Sequence, residues 1–89
     1  MLNLPATLTH VEAAELAPRV SQLVQAETSA VVVDASDLRV FDSSALAVLL
    51  ASRREALAHG KEFAVRNLPA RLHQLAALYG VAELIPAAS

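Results

Sequence analysis

The sequence predicts a single small α/β domain, in which helices pack on a mixed sheet of about four strands. Segments typical of strands alternate with segments typical of helices along the chain, a pattern that favours helices layered on a sheet. Ala30 to Val33 is a continuous apolar run, as expected for a strand covered on both faces. The chain has 89 residues, enough for one hydrophobic core. We therefore expect residues 1–89 to form one domain.

The amino-terminal segment offers the sheet only a short strand. Apolar residues alternate from Leu2 to Leu8, but Pro5 lies among them. Proline has no backbone N–H to donate, so this segment is at best an edge strand. We expect a shortened amino-terminal strand region and an exposed sheet edge, through which a homodimer can form.

The first helix is predicted over about residues 10–25. Thr9 and Glu12 have the spacing of a capping box, in which the two side chains satisfy backbone amides at a helix start. Pro18 lies inside this helix and removes one backbone donor. We therefore expect a kink near Ala14 or a late, irregular start.

The second helix is predicted to follow Asp42 and to run to about His59. Gly60 comes next, and glycine readily adopts the left-handed conformation that closes a last helical turn. Helical spacing gives the expected core face: Leu46, Leu49, Leu50, Arg53 and Leu57.

The carboxyl-terminal third of the chain predicts one strand, one helix and a short final element. Glu62 to Arg66 alternates polar and apolar residues, which is typical of a half-buried strand. Pro69 lies where a third helix would begin, and Gly80 lies where it would end. Residues 81–85 are expected to form a last short strand or a packed tail.

Composition and charge exclude several classes of function. Seven basic and nine acidic residues give a formal net charge of −2, so we expect no nucleic-acid binding. The absence of cysteine excludes disulfides, thiolate zinc sites and thiol catalysis. The longest apolar runs fall short of the about 18 residues of a membrane span, and the first residues lack a secretion signal. We expect a cytoplasmic protein without direct membrane insertion.

The most informative segment is residues 41–51, where a carboxylate and two hydroxyls directly precede a nearly continuous apolar run. Helices that are apolar all round are usually covered on both sides, and a chain this small has little of its own to supply the second cover. We therefore expect a partner protein to dock here, with small residues turned partly outward. The predicted docking residues are Asp42, Ser43, Ser44, Ala47, Val48 and Ala51.

The two serines have two interpretations. Serine is among the preferred residues at a helix N-cap, and spacing alone favours this ordinary role. An exposed Ser43 hydroxyl can also accept a phosphate, whose charge the helix N-terminus would stabilise and Asp42 would oppose.

Neither catalysis nor a metal or cofactor site is indicated. Asp34, Asp37 and Asp42 fall between a buried strand and the next helix, where open α/β sheets place ligands. Aspartate is also favoured in turns and at helix starts, which is the stronger explanation. The three histidines lack the paired spacing of a metal site, and no nucleophile, base and orienting acid come together. We expect no enzyme activity and no cofactor.

The order of elements, with residues 31–34, 41–46 and 63–65, resembles a STAS domain, the small fold of anti-sigma-factor antagonists. The resemblance covers nearly the whole chain. It implies that Asp42 and Ser43 match the family's aspartate and phosphorylatable serine or threonine. A glycine of the family pattern is replaced by Ala45, whose methyl group we expect where a partner would press.

Residues 72–86 look more like one branch of that family, the STAS subunit of the Mla-type phospholipid-transport ABC complex. This resemblance implies a non-catalytic accessory subunit at the cytoplasmic face of the inner membrane. It would bind and support the ATPase subunit through the start of the second helix, in a transporter that maintains outer-membrane lipid asymmetry. The alternative is an anti-sigma-factor antagonist, switched when an anti-sigma factor kinase phosphorylates Ser43.

Overall fold

The computed structural model describes residues 1–88 and confirms the predicted α/β class. Two short 3-10 turns, Ala17–Arg19 and Ala82–Leu84, complete the regular structure. The strands and helices are β1 Leu2–Asn3, β2 Thr7–Leu8, α1 His10–Leu16, α2 Val20–Ala26, β3 Val31–Asp34, β4 Val40–Phe41, α3 Ser44–Ala58, β5 Phe63–Arg66 and α4 Ala70–Leu78.

The strands form two small sheets in place of the single mixed sheet we expected. One sheet has the order β1-β3-β5, and the other pairs β2 with β4. Every strand pairing within residues 1–88 is parallel, because at least one helix lies between the two strands of each pair in the main sheets and returns the chain to the same end. The amino-terminal segment divides at residues 4–6, where Pro5 cannot donate to a ladder. The predicted short strand is thus two strands of two residues each.

Near its end the chain covers the outer edge of β5. Ala87 pairs with Val65 in parallel. The Val65 amide donates to the Pro86 carbonyl at 2.8 Å, and the Ala88 amide donates to the Val65 carbonyl at 2.8 Å. Residues 81–85, predicted as a strand or a packed tail, contain a 3-10 turn and form the packed tail that leads to this bridge.

The predicted first helix is two helices separated by a 3-10 turn. The capping box at its start is confirmed. The Thr9 amide donates to Glu12 Oε1 at 2.8 Å, and the Thr9 hydroxyl also donates to this oxygen, at 2.6 Å. The irregularity lies at Ala17–Arg19 and not near Ala14. The chain tightens at Pro18 itself, which lies at the first turn of the 3-10 segment, where a missing amide hydrogen leaves no helical bond unmade.

A single lysine side chain ties α2 to the beginning of β5. Lys61 is the only lysine of the chain. Its ammonium donates to the carbonyls of Val24 at 2.9 Å and of Gln25 at 3.4 Å, and also to that of Glu27. These carbonyls lie at the carboxyl end of α2 and its C-cap, where helical partners run out, although the Val24 carbonyl also accepts the Glu27 amide at 3.1 Å. Lys61 therefore satisfies the carboxyl end of α2 from across the fold.

The core is built from small aliphatic side chains, and α3 contributes more of its circumference than we expected. Leu57, predicted to be buried, is 52% exposed, whereas Val48, predicted to face outward, is 4% exposed. Helices α1 and α2 pack against one flank of α3, and this second contact surface rotates the buried arc away from Leu57. The buried residues of α3 are Ala45, Leu46, Val48, Leu49, Ser52 and Ala56.

Candidate docking surface

Asp42 fixes the geometry at the start of α3. Its Oδ1 accepts a hydrogen bond from the Ser44 amide at 2.8 Å. Its Oδ2 accepts one from the His10 amide at 3.2 Å, and the His10 ring nitrogen Nδ1 lies 3.7 Å from the same oxygen. One carboxylate thus holds the first turns of α1 and α3 together.

The charge of this carboxylate is stabilised where it lies. The backbone amide of Ser44 lowers the pKa of Asp42 below its ordinary value of 3.8, with a further contribution from the His10 amide. Asp42 is therefore ionised at neutral pH, which suits a structural anion and not a proton donor. Its role as a partner-binding residue stays a prediction.

Ser43 occupies the N-cap position of α3, but its side chain makes no capping hydrogen bond. Asp42 satisfies the Ser44 amide instead. The ordinary interpretation of the serines, hydroxyl capping, does not apply to Ser43. Ser43 is exposed and Ser44 is half-buried, so the Ser43 hydroxyl faces solvent at the corner of the domain.

The expected small-residue surface of α3 is only partly exposed. Ala47 is exposed and Ala51 is half-buried, on the same side of the helix as Ser43. Val48 belongs to the core, as described above, so it is removed from the predicted docking residues. The remaining outward surface consists of Ser43 and Ala47, with Ala51 at its margin; we call these three residues the α3 corner.

Ala45 does not lie where we expected its methyl group. Its exposed fraction is 0%, because position 45 faces the core one turn before Leu49. The replacement of the pattern glycine by alanine therefore adds packing inside the domain. It leaves the α3 corner unobstructed.

A shallow groove next to the α3 corner was not predicted from the sequence. Four residues of α4, spaced by three or four positions, form one wall, and the junction of β4 and α3 forms the other. The groove has a volume of about 410 Å³, and we call it the Arg71 groove. It is lined by Phe41, Asp42, Arg71, Gln74, Leu75 and Leu78.

The Arg71 groove combines apolar side chains with one cation, Arg71, and one anion, Asp42. The Arg71 guanidinium lies over the Phe41 ring, 5.4 Å from its centroid, a cation–π contact. Leu78 is 78% exposed, the most exposed large apolar side chain among residues 1–88. A helix between Pro69 and Gly80 was predicted from the sequence, but which side of α4 lacks a cover depends on how the helix packs.

The other residues considered for chemistry do not come together. Asp34 accepts hydrogen bonds from the Ser36 amide at 3.1 Å and from the Asn67 side chain at 3.1 Å, and the Asn67 hydrogen bond is the main reason that the pKa of Asp34 lies below its ordinary value. Asp37 is exposed. In the part of the chain that the structure describes, no three histidine, aspartate or glutamate side chains gather as metal ligands would. The Asp34 carboxylate serves a turn and that of Asp42 serves two helix starts.

The strands and helices define a small α/β domain with an exposed corner at the start of α3. The sequence model of one protein family, described as "Mlab, STAS domain", matches residues 1–86. The chain belongs to the STAS domain family. No curated protein sequence matches it.

Membership of this family assigns a general role. STAS domains act through interaction with other proteins, and this chain has that role. Within residues 1–88, none of the helices has the length and apolarity needed to cross a bilayer.

Proposed function

We propose that the protein is a non-catalytic cytoplasmic subunit of a phospholipid-transport ABC complex that maintains outer-membrane lipid asymmetry. In this role it binds the ATPase subunit at the inner face of the membrane and supports its activity. The description of the matching family as "Mlab, STAS domain" favours this branch. Lipid is handled by the partners and not by this chain.

The observation that carries the proposal is the α3 corner. Ser43 and Ala47 are exposed, and Asp42 holds the backbone beneath them through two hydrogen bonds. A surface that is already in place loses little conformational entropy when a partner docks. Small side chains at this corner also let a partner backbone approach closely.

Co-purification with the cognate ATPase subunit tests this proposal. Ala47→Lys introduces a long charged side chain at the α3 corner and is expected to weaken binding by about tenfold or more. Ala58→Lys is the matched control, because Ala58 is also exposed on α3 but lies at its far end. ATP turnover of the complex should fall with Ala47→Lys alone. Equal binding and turnover for both variants would exclude the α3 corner as the docking surface.

A second candidate function is an anti-sigma-factor antagonist that is switched by phosphorylation. The specific observation in its favour is the exposed Ser43 hydroxyl, which no capping hydrogen bond engages. A phosphate there would lie at the N-terminus of a helix of 15 residues, which favours negative charge. Asp42 opposes it, so phosphorylation would strain the corner and change partner affinity.

Incubation with the cognate anti-sigma factor kinase, followed by intact-mass analysis, tests this alternative. The expected result is one added phosphate on the wild-type chain and none on Ser43→Ala. Ser44→Ala is the control and should still be modified. Absence of phosphate on the wild-type chain, or unchanged partner binding after its addition, would exclude the switch. Neighbouring genes for a permease and an ATPase would favour the transporter role, and genes for a sigma-factor pair would favour the switch.

A further inference from the structure

The exposed face of α4 has the residue pattern expected of a protein–protein interface. Arg71, Gln74, Leu75 and Leu78 are spaced as i, i+3, i+4 and i+7, so they form one stripe along the helix. Leu72 and Ala76 are buried and form the core-facing side. Leu75 is half-buried and Leu78 is 78% exposed. The stripe therefore places apolar surface in water opposite Phe41.

The Arg71 guanidinium has no carboxylate partner among the described residues, although Asp42 also lines the groove. Both carboxylate oxygens of Asp42 already accept hydrogen bonds from backbone amides. Arg71 forms no salt bridge with any described residue, and its guanidinium only stacks on Phe41. An arginine whose five N–H donors lack a carboxylate pairs readily with one that arrives from outside.

We propose that the Arg71 groove receives an acidic amphipathic helix of the partner protein. A large apolar side chain of that helix packs between Leu75, Leu78 and Phe41, and a carboxylate lying one or two turns away pairs with Arg71. The stripe from Arg71 to Leu78 is about 10 Å long at 1.5 Å per residue, which sets this spacing. Helix-in-groove recognition uses such anchors. The inference rests on the proposed docking function, since the groove is continuous with the α3 corner through Asp42.

The first test measures the affinity of the cognate ATPase subunit for the wild type, for Ala47→Lys and for four further variants. Arg71→Gln and Leu78→Ser are each expected to weaken binding by about tenfold. Arg71→Lys keeps the charge and should recover part of the loss. Arg19→Gln is the control, because Arg19 is exposed in the 3-10 turn between α1 and α2. If Arg71→Gln binds as tightly as the wild type while Ala47→Lys does not, the groove inference is wrong and the docking proposal stands.

The second test does not depend on the ATPase. A helical peptide of about 15 residues, with leucine at one position and glutamate four positions later, is titrated into the isotope-labelled protein. We expect NMR shift changes at Phe41, Leu75 and Leu78 that Arg71→Gln abolishes. A peptide with glutamine in place of the glutamate should cause much smaller changes.

The remaining outcomes also decide the question. Peptide shifts located elsewhere, or shifts that persist in Arg71→Gln, would contradict the groove inference even if the ATPase binds. A wild-type dimer that Arg71→Gln converts to a monomer would identify the occupant as a second copy of the chain and overturn the proposal of a foreign helix. If the ATPase does not bind but the peptide does, the transporter role fails and the groove remains the binding site for an acidic helix.

Discussion

Asp42 caps the start of α3, a role that the position of Ser43 suggests for the serine. Serine is a preferred N-cap residue, so the sequence favoured hydroxyl capping, yet the carboxylate of the preceding residue accepts the Ser44 amide. The sequence identified the right segment but not this division of roles. The hydrogen bond to the Ser44 amide is local and agrees with the preference of aspartate for helix starts, but the second one could not be predicted, because its donor is the amide of His10, 32 positions away in the chain.

Replacement of Asp42 by asparagine should destabilise the domain at neutral pH, because the charge that both helix starts favour is removed. The sign of the pH dependence follows from the depressed pKa of Asp42. The charge stabilises the fold above the unfolded-state value of 3.8, and this contribution is lost as pH falls through the lower folded-state pKa. Urea unfolding at about pH 7 and about pH 3 should therefore show a difference between wild type and Asp42→Asn that shrinks in acid. A pH-independent difference would contradict this role.

At the scale of the elements, the sequence predicted the existence and the ends of α3 better than its orientation. The left-handed Gly60 at φ 68° follows the helix as expected. The sequence predicted an outward-facing Val48 and a buried Leu57, and both predictions were wrong. Which residues are buried depends on how α1 and α2 lie against α3. Helical spacing defines faces, but only tertiary packing decides which face is covered.

Two leucines of α3 test this assignment of faces. Leu49 is 0% exposed and Leu57 is 52% exposed. Leu49→Ala should cost about 2–5 kcal/mol in the free energy of unfolding, because it leaves a cavity in the core. Leu57→Ala should change it by no more than about 0.5 kcal/mol. Chemical denaturation of both variants measures the difference, and similar costs for the two would show that the helix is rotated from the described position.

Lys61 tests the connection between α2 and β5. Lys61→Met keeps a long apolar side chain but removes the donor to the carbonyls at the end of α2. We expect a loss of about 1–2 kcal/mol in the free energy of unfolding. Lys61→Arg retains a cationic donor and should lose less. Equal stability of Lys61→Met and the wild type in thermal or urea unfolding would show that these hydrogen bonds make no net contribution.

At the scale of the whole molecule, the order of strands and helices was predictable and the arrangement of the strands was not. The alternation of segments and the short amino-terminal strand followed from apolar patterning and Pro5. The division into two parallel sheets did not, because strand pairing joins residues far apart, such as Leu2 and Val33. The Arg71 groove was not predictable for the same reason, since it lies between Phe41 and a helix about 30 positions later in the chain. A homodimer through an open sheet edge stays a prediction.

The docking of a partner on residues 41–51 is tested most directly by hydrogen exchange of the chain alone and with its cognate ATPase subunit. We expect slower exchange in the complex for peptides that cover residues 41–51, with a smaller effect on residues 71–79 from the Arg71 groove. Peptides from β1 and α2 should be unchanged. A stable complex in which residues 41–51 exchange at their free rate, while another surface becomes protected, would contradict the account.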